Sequence, residues 1–380
     1  MWYKDARIWT PEGYLRGAFE VRDGRFGAVC PGGGGDERAV SLDGAKVIPG
    51  LVDIHTHGNS GADFSDGDIS GLRRMARYLA RHGVTSFAPT SVTLPYDALS
   101  KAFAAARALH DTRPTNTARV MGIHMEGPFF SETKKGAQNA AYLREPDMEM
   151  FARLRKDCGG LIRIVDIAPE LEGALPFIRS AKALCRVSVA HTNADYAQAR
   201  AAFEAGASHI THLFNAMPPV HHRSPGVIGA GSERNNVTAE LICDGIHVHP
   251  SAVRMAFKLF PDKICLVSDA LRCCGMPNGT YDLGGQTVSL EGGVARLADG
   301  NIAGSATPLS ECLRNAVRFG IPENEAIRAA TLRPARVIGA DAEIGSIEPG
   351  KRADFVVCAE NLEPLRVFIG GEEVPIGDNE

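Results

Sequence analysis

Between residues 50 and 270 the chain alternates short apolar runs with amphipathic stretches, and this rhythm constrains the fold more than any other feature. Eight runs recur, in KVIPGLVDIH, GVTSFAPTS, ARVMGIHMEG, LIRIVDIAPE, RVSVAHT, HITHLFN, TAELICDG and KICLVSDA. Their apolar parts span about four to eight residues and lack the strict alternation of half-exposed strands, as expected for strands covered on both faces. The segments between them, such as ISGLRRMARYLARHG, YDALSKAFAAARALH and DYAQARAAFEAG, repeat their apolar residues at helical spacing. Eight strand–helix repeats predict an α/β fold, a parallel (β/α)8 TIM barrel over residues 50–341.

The two ends have a different texture. Residues 1–49 read as short strands with tight turns (YKDARIWT, GAFEVRDGRF, the glycine run from Gly32 to Gly35, AVSLDGAKVI), without helical periodicity. Residues 342–380 return to strands and turns. One small β-sandwich built from 1–49 and 342–380, with the barrel inserted between them, accounts for both. Residues 275–306 also break the rhythm and predict a β-rich insertion after the eighth strand.

Bulk properties narrow the function. A net charge of −4 gives no field for nucleic acid or anionic membrane, so any phosphate site must be local. No run approaches 18 apolar residues and the N-terminal stretch has no apolar h-region, so the expectation is a cytoplasmic protein, neither secreted nor membrane-spanning. The nine cysteines are odd in number and contain no Cys-x-x-Cys, which predicts buried reduced thiols. The Cys273–Cys274 pair follows a candidate site residue and is expected near the site mouth, in a structural role.

Six metal-capable side chains stand where apolar runs stop: His55 and His57, Glu126, His191, His212 and Asp269. A parallel barrel gathers such residues at one rim. His55 and His57 are two apart on a strand and point the same way; Asp53 or backbone carbonyls are available to orient their rings. His191 and His212 end consecutive strands and can converge on one ion. Glu126, followed by Gly127 and Pro128, lies between the two histidine pairs, where it can bridge two ions or complete one site. Asp269 follows an apolar stretch, so its charge needs a partner; the role it suits is general base, then general acid. His124 shares the strand face of Glu126 and is a structural histidine or a substrate contact. His209 is expected on the opposite face from His212, and His82, His110 and His249 on the surface.

The motifs HMEGPFF, AHTNA, THLFNAM, HRSPG, CDGIHVHP and VSDA, in this order, resemble those of N-acetylglucosamine-6-phosphate deacetylases of the amidohydrolase superfamily. The resemblance implies release of acetate from N-acetylglucosamine 6-phosphate in amino-sugar catabolism. It implies that Glu126, His191 and His212 hold the main ion and that His55 and His57 add a second site. The donor set suits zinc and also ferrous iron. Asp269 matches the catalytic acid–base residue. His247 and Arg223 match phosphate-binding positions, the arginine reaching across from a partner subunit, which implies a homodimer. Asn215 and Ala216 match contacts to phosphate or sugar, and Ala137 and Gln138 match a sugar-contact loop in which many relatives carry His at the Gln138 position. Three alternatives stand beside this reading: deacetylation of the galactosamine epimer, another amidohydrolase activity such as a deaminase or dipeptidase, and a non-catalytic relative. The absence of lysine in LIRIVDIAPE argues against relatives that bridge two metals through a modified lysine.

Overall fold

A computed structural model of the chain describes residues 1–33 and 38–375. Gly34 and Gly35 of the glycine run, and the last five residues of the expected small domain, lie outside the described residues.

Eight strands form the barrel: Leu51–Thr56, Val84–Pro89, a broken third strand (Arg119–Val120 and Ile123–Met125), Ile162–Ile167, Arg186–Val189, His209–Ile210, Thr238–Ile242 and Ile264–Val267. All neighbours pair in parallel. The ring closes through a parallel bridge between Thr56 and Ala270, reinforced where the Asp269 N–H donates to the His55 carbonyl at 2.9 Å. The third strand breaks at Gly122, where a Cβ would stand 2.2 Å from Arg163 Cγ.

The helices bury Ala- and Leu-rich faces against the outside of the ring. The helix Ile69–Arg81 covers it with Leu72, Met75, Ala76 and Leu79, and starts at Asp68, whose carboxylate accepts the N–H groups of Ser70 and Gly71. Inside the ring, Val52, Ile54, Ile164, Ile242 and Val267 pack with Val337 and Ile338 of the closing helix, which fills the N-terminal end. Above this apolar layer the interior turns polar and carries the site.

Both chain ends supply strands to one eight-stranded sheet, with Lys46–Pro49 paired between Trp2–Thr10 and Phe355–Cys358. Phe19 and Phe355 lie three strands apart, roughly 14 Å in a flat sheet. Their ring centroids are 5.1 Å apart, so the sheet curls over a core of Tyr3, Phe19, Phe26, Phe355 and Phe368 in the manner of a sandwich. Within 275–306 a three-stranded antiparallel sheet (Gly279–Leu283, Gln286–Glu291, Val294–Leu297) packs on Val92, Leu271 and Cys273 beside the barrel rim. No helix among the described residues is long and apolar enough to cross a membrane.

Candidate metal centre and active-site cavity

The first barrel strand shifts register between Asp53 and Thr56. Ile54 packs into the apolar layer while the next residue, His55, bonds to Glu240 inside the ring, so two successive side chains face the interior. The His55 and His57 rings converge, with 3.3 Å between their Nε2 atoms. His191, His212 and Asp269 follow their strands with φ of 43°, 30° and 48°. Left-handed backbone at non-glycine residues costs of order 1–3 kcal/mol each and persists only where surrounding structure enforces it. Here it aims three side chains at one point.

That point is Glu126. Its Oε1 lies 3.2 Å from His212 Nε2, 3.3 Å from His191 Nε2 and 3.4 Å from His55 Nε2, and its Oε2 lies 3.6 Å from His57 Nε2. Asp269 Oδ1 stands 3.1 Å from His57 Nε2 and 3.5 Å from His55 Nε2. The opposite ring nitrogens fix the tautomers. His55 Nδ1–H donates to Glu240 Oε2 at 2.8 Å, His57 Nδ1–H to the Thr90 carbonyl at 3.1 Å, and His191 Nδ1–H to the Lys134 carbonyl at 2.9 Å. Carboxylates and carbonyls only accept, so each Nε2 presents a lone pair to the centre. His212 Nε2 lies 3.1 Å from His191 Nε2, while its Nδ1 has no partner. A divalent cation satisfies this crowd of donor atoms. Three buried triads among the described residues bring their donor atoms together; Glu126–His191–His212 and His55–His57–Glu126 share Glu126 at the cavity floor, and His55–His124–Glu240 lies beneath them.

The charges are mutually adjusted. Burial raises the carboxyl pKa of Glu126, but the His191, His212 and His55 rings at its oxygens outweigh it and hold the group well below its ordinary range. Burial likewise opposes the ionised Asp269, while the neighbouring His55 and His57 rings lower its pKa. For His55, burial disfavours the imidazolium, yet Glu240 and Asp269 lift its pKa well above the usual value.

Beneath the rim lies a layer of buried polar groups that the motif reading passed over. Glu240, fully buried, also accepts from His209 Nε2 at 3.2 Å and from the His212 N–H at 3.2 Å. His124 donates one ring N–H to the Ile54 carbonyl or the other to Asp166 Oδ1, lying 3.0 and 2.9 Å from them. Asp166 also accepts from Thr211 at 2.9 Å. His124 and His209 are thus both buried inside the ring. Asp53 does not touch the rings; it takes the Ser268 hydroxyl at 2.6 Å and the His55 N–H at 3.3 Å. Burial lifts its carboxyl pKa to about 6 against those bonds. The signal available in the sequence was a carboxylate inside an apolar run: VDIH, RIVDI and TAELI.

A cavity of about 460 Å³ opens above the centre. It is lined by His57, Glu126, His191, His212 and Asp269, and also by Ala137, Gln138, Asn215, Ala216 and His247. His55 lies behind this surface, fully buried. His247 Nδ1–H donates to Asp244 at 2.6 Å, leaving Nε2 toward the cavity. Gln138 is engaged at both ends: its Oε1 accepts the Thr93 N–H at 2.7 Å and its Nε2 donates to Glu126 Oε2. Lys134 and Lys135 add positive charge to the wall. Arg223 does not line this cavity; it is exposed, with Nη1 2.7 Å from His222 Nε2.

Elsewhere, His82 and His110 are half-buried rather than on the surface, their Nδ1–H groups donating to Tyr78 and Val120 carbonyls at 2.8 Å, while His249 is exposed and caps a helix. All nine cysteines are free; Cys273 and Cys274 are buried and outside the cavity wall, Cys274 Sγ lying 3.6 Å from the Tyr78 hydroxyl.

The chain matches the amidohydrolase family over residues 46–374. It is 38% identical over 371 residues to an N-acetylgalactosamine-6-phosphate deacetylase of Escherichia coli O157:H7, covering 96% of this chain and 97% of that protein. It is also 38% identical over 330 residues to an N-acetylglucosamine-6-phosphate deacetylase of Bacillus subtilis, covering 86% and 83%. Among solved structures it is similar to a mutant N-acetyl-D-glucosamine-6-phosphate deacetylase of Mycobacterium smegmatis in complex with N-acetyl-D-glucosamine-6-phosphate. The TM-score is 0.93 at 35% identity, over 98% of this chain and 99% of that one.

Proposed function

The chain belongs to the amidohydrolase family, in the branch of the N-acetylglucosamine-6-phosphate deacetylases, and on that premise we propose how its own residues carry out the reaction. It hydrolyses the acetamide of N-acetyl-D-glucosamine 6-phosphate to acetate and D-glucosamine 6-phosphate. The observation that carries this reading is the convergence of Glu126, His57, His191, His212 and Asp269 on the floor of one cavity, with His55 directly behind them.

Glu126, His191 and His212 would hold one divalent ion, and His55 and His57 a second, with Glu126 shared. Zinc suits these nitrogen and carboxylate donors, with ferrous iron as the alternative. Such an ion lowers the pKa of a bound water from about 15.7 to about 7 and polarises an amide carbonyl. Asp269, ionised and facing the cavity, accepts a proton from the attacking water. It then delivers that proton to the sugar nitrogen as the C–N bond breaks, which releases a neutral amine rather than an amide anion. His55 and His57 hold Asp269 in place on one side, and its N–H bond to the His55 carbonyl holds the backbone on the other.

The phosphate lies toward His247, with Asn215 and the Ala216 backbone beside it and Ala137 on the sugar side, while Gln138, engaged by Thr93 and Glu126, steadies the carboxylate of the metal centre. Arg223 completes the phosphate site of a partner subunit in a homodimer. Its exposure, beside the exposed Val220 and outside its own cavity, supports that assignment. An arginine and a histidine suit a phosphate dianion, which reconciles an anionic substrate with an acidic protein. Nine free thiols favour the reducing cytoplasm.

The galacto epimer is the second reading, because a deacetylase of each epimer is 38% identical to this chain. Acetate release from both sugar phosphates and from the unphosphorylated sugars decides between them. The expected order puts the gluco phosphate first and both phosphates far above the free sugars. Equal rates with and without phosphate would remove the assignment. Asp269→Asn should lower kcat by about 10²–10⁴ with bound metal retained; loss of metal instead would make Asp269 chiefly a ligand.

A further inference from the structure

A second cleft lies at the opposite end of the barrel, where the strands begin. Its inner part has a volume of about 270 Å³ and is lined by Arg113, Arg119, Arg163 and Arg352 with one carboxylate, Glu343. It continues outward as a space of about 320 Å³ against the small sheet, past Arg25 and Gly370, where the carboxylates of Asp23 and Glu372 flank the mouth. Arg119 opens the third barrel strand and Arg163 is the second residue of the fourth, so both stand a strand's length from the rim.

In a chain of net charge −4 this lining gathers four arginines against one carboxylate. Arg113 and Arg163 are exposed and Arg119 half-buried, and none of the three makes a hydrogen bond or ion pair with another side chain among the described residues. Arg352 is 7% exposed; one nitrogen lies 2.7 Å from Asp354 and another 3.7 Å from Met121 Sδ, while its Nε finds no acceptor. A buried guanidinium nitrogen without an acceptor is costly. Burial and the charges of Arg352 and Arg113 pull the Arg119 pKa below its ordinary value, outweighing the opposing carboxylates of Asp354 and Glu343. The backbone is cut to admit them. Gly122 clears the path of the Arg163 side chain, which a Cβ there would overlap.

Planar guanidinium groups lining one cleft, two of them from neighbouring strands, suit a tetrahedral oxyanion. We propose that this cleft is a second anion site, remote from the catalytic cavity, that takes inorganic phosphate or a phosphate monoester between the barrel and the small sheet.

The test is calorimetric titration of the intact metal-loaded protein with inorganic phosphate, and separately with D-glucosamine 6-phosphate, on wild type, Arg119→Gln, Arg163→Gln and Arg223→Ala. Phosphate binding should weaken about tenfold in each of the first two variants and persist in the third. The kcat/KM of Arg119→Gln and Arg163→Gln should stay at the wild-type value, which also shows that both variants fold. Unchanged phosphate affinity in both variants overturns the proposal. So does phosphate binding lost in Arg223→Ala alone, which would assign the anion to the deacetylase site. Tighter binding of the sugar phosphate than of inorganic phosphate at the Arg119-dependent site identifies the ligand as a monoester, and the reverse order identifies it as free phosphate.

Discussion

Replacing Glu240 by glutamine tests whether the layer under the rim governs the metal centre. The carboxylate accepts from His55 Nδ1 at 2.8 Å, in a space with no solvent exposure at either residue. Glutamine is nearly isosteric, so the change removes charge and leaves volume. Two effects then act on His55. The imidazole loses the anion that makes its Nε2 a strong donor, and the amide NH₂ of glutamine can turn toward Nδ1, which moves the ring proton onto Nε2 and blocks it. Removal of such a partner behind a ligating histidine typically costs 10–100-fold in metal affinity, about 1.4–2.8 kcal/mol. The triad Glu126–His191–His212 does not include His55, so its ion should remain. The assay is metal content by elemental analysis during titration with a competing chelator, with circular dichroism to establish folding. The expected result is two-step release in which only the weaker step moves, by about 10–100-fold. An unchanged release curve, or both steps moving together in a folded protein, would refute the argument.

Three further outcomes follow from the geometry. Gln138→Ala should weaken metal retention about tenfold by freeing Glu126 Oε2, with little change in KM; a raised KM with metal retention unchanged would make Gln138 a sugar contact instead. Arg223→Ala should raise KM for the phosphorylated sugar far more than for the free sugar, and mixing its subunits with Asp269→Asn subunits should restore about a quarter of wild-type activity, since half of random dimers carry one intact site. No recovery on mixing would place Arg223 at its own subunit's site. Asp63 caps a short helix by accepting the Ser65 N–H at 2.8 Å, and burial lifts its pKa to about 6. A raised carboxyl pKa means its stabilising contribution is complete below about pH 4 and is lost as pH rises through 6. Asp63→Asn keeps the capping oxygen and should gain up to about 3 kcal/mol relative to wild type at pH 7.5, and little at pH 4, by urea unfolding; a gain that is larger at low pH would reverse the assignment.

The barrel was legible because its strands are short, apolar and regularly punctuated, and the rim residues because polar groups ending such runs have few other places to go. The reading weakened where local pattern and three-dimensional direction part. His55 faces the interior only because the first strand slips register beside it, and no alternation rule contains that slip. Glu240 and Asp166 sit inside runs that read as wholly apolar, and their partners come from strands far away in sequence. The conformations of His191, His212 and Asp269 are set by the ring around them rather than by their own preferences. The cleft at the barrel's other end was invisible for a similar reason: Arg113, Arg119, Arg163 and Arg352 are scattered through the chain and meet only when both domains are in place.

The shared sheet of the small domain also sets an order of events during synthesis. Lys46–Pro49 acquires its second neighbour, Phe355–Cys358, only after some three hundred intervening residues have left the ribosome. Until then its edge is open and apolar, a template for pairing with other chains. All eight barrel strands are synthesised before the small sheet can be completed. Slowing translation late in the message, or deleting the last strands, should send nascent chains into aggregates that already contain a formed barrel, and a chaperone that covers sheet edges should rescue them.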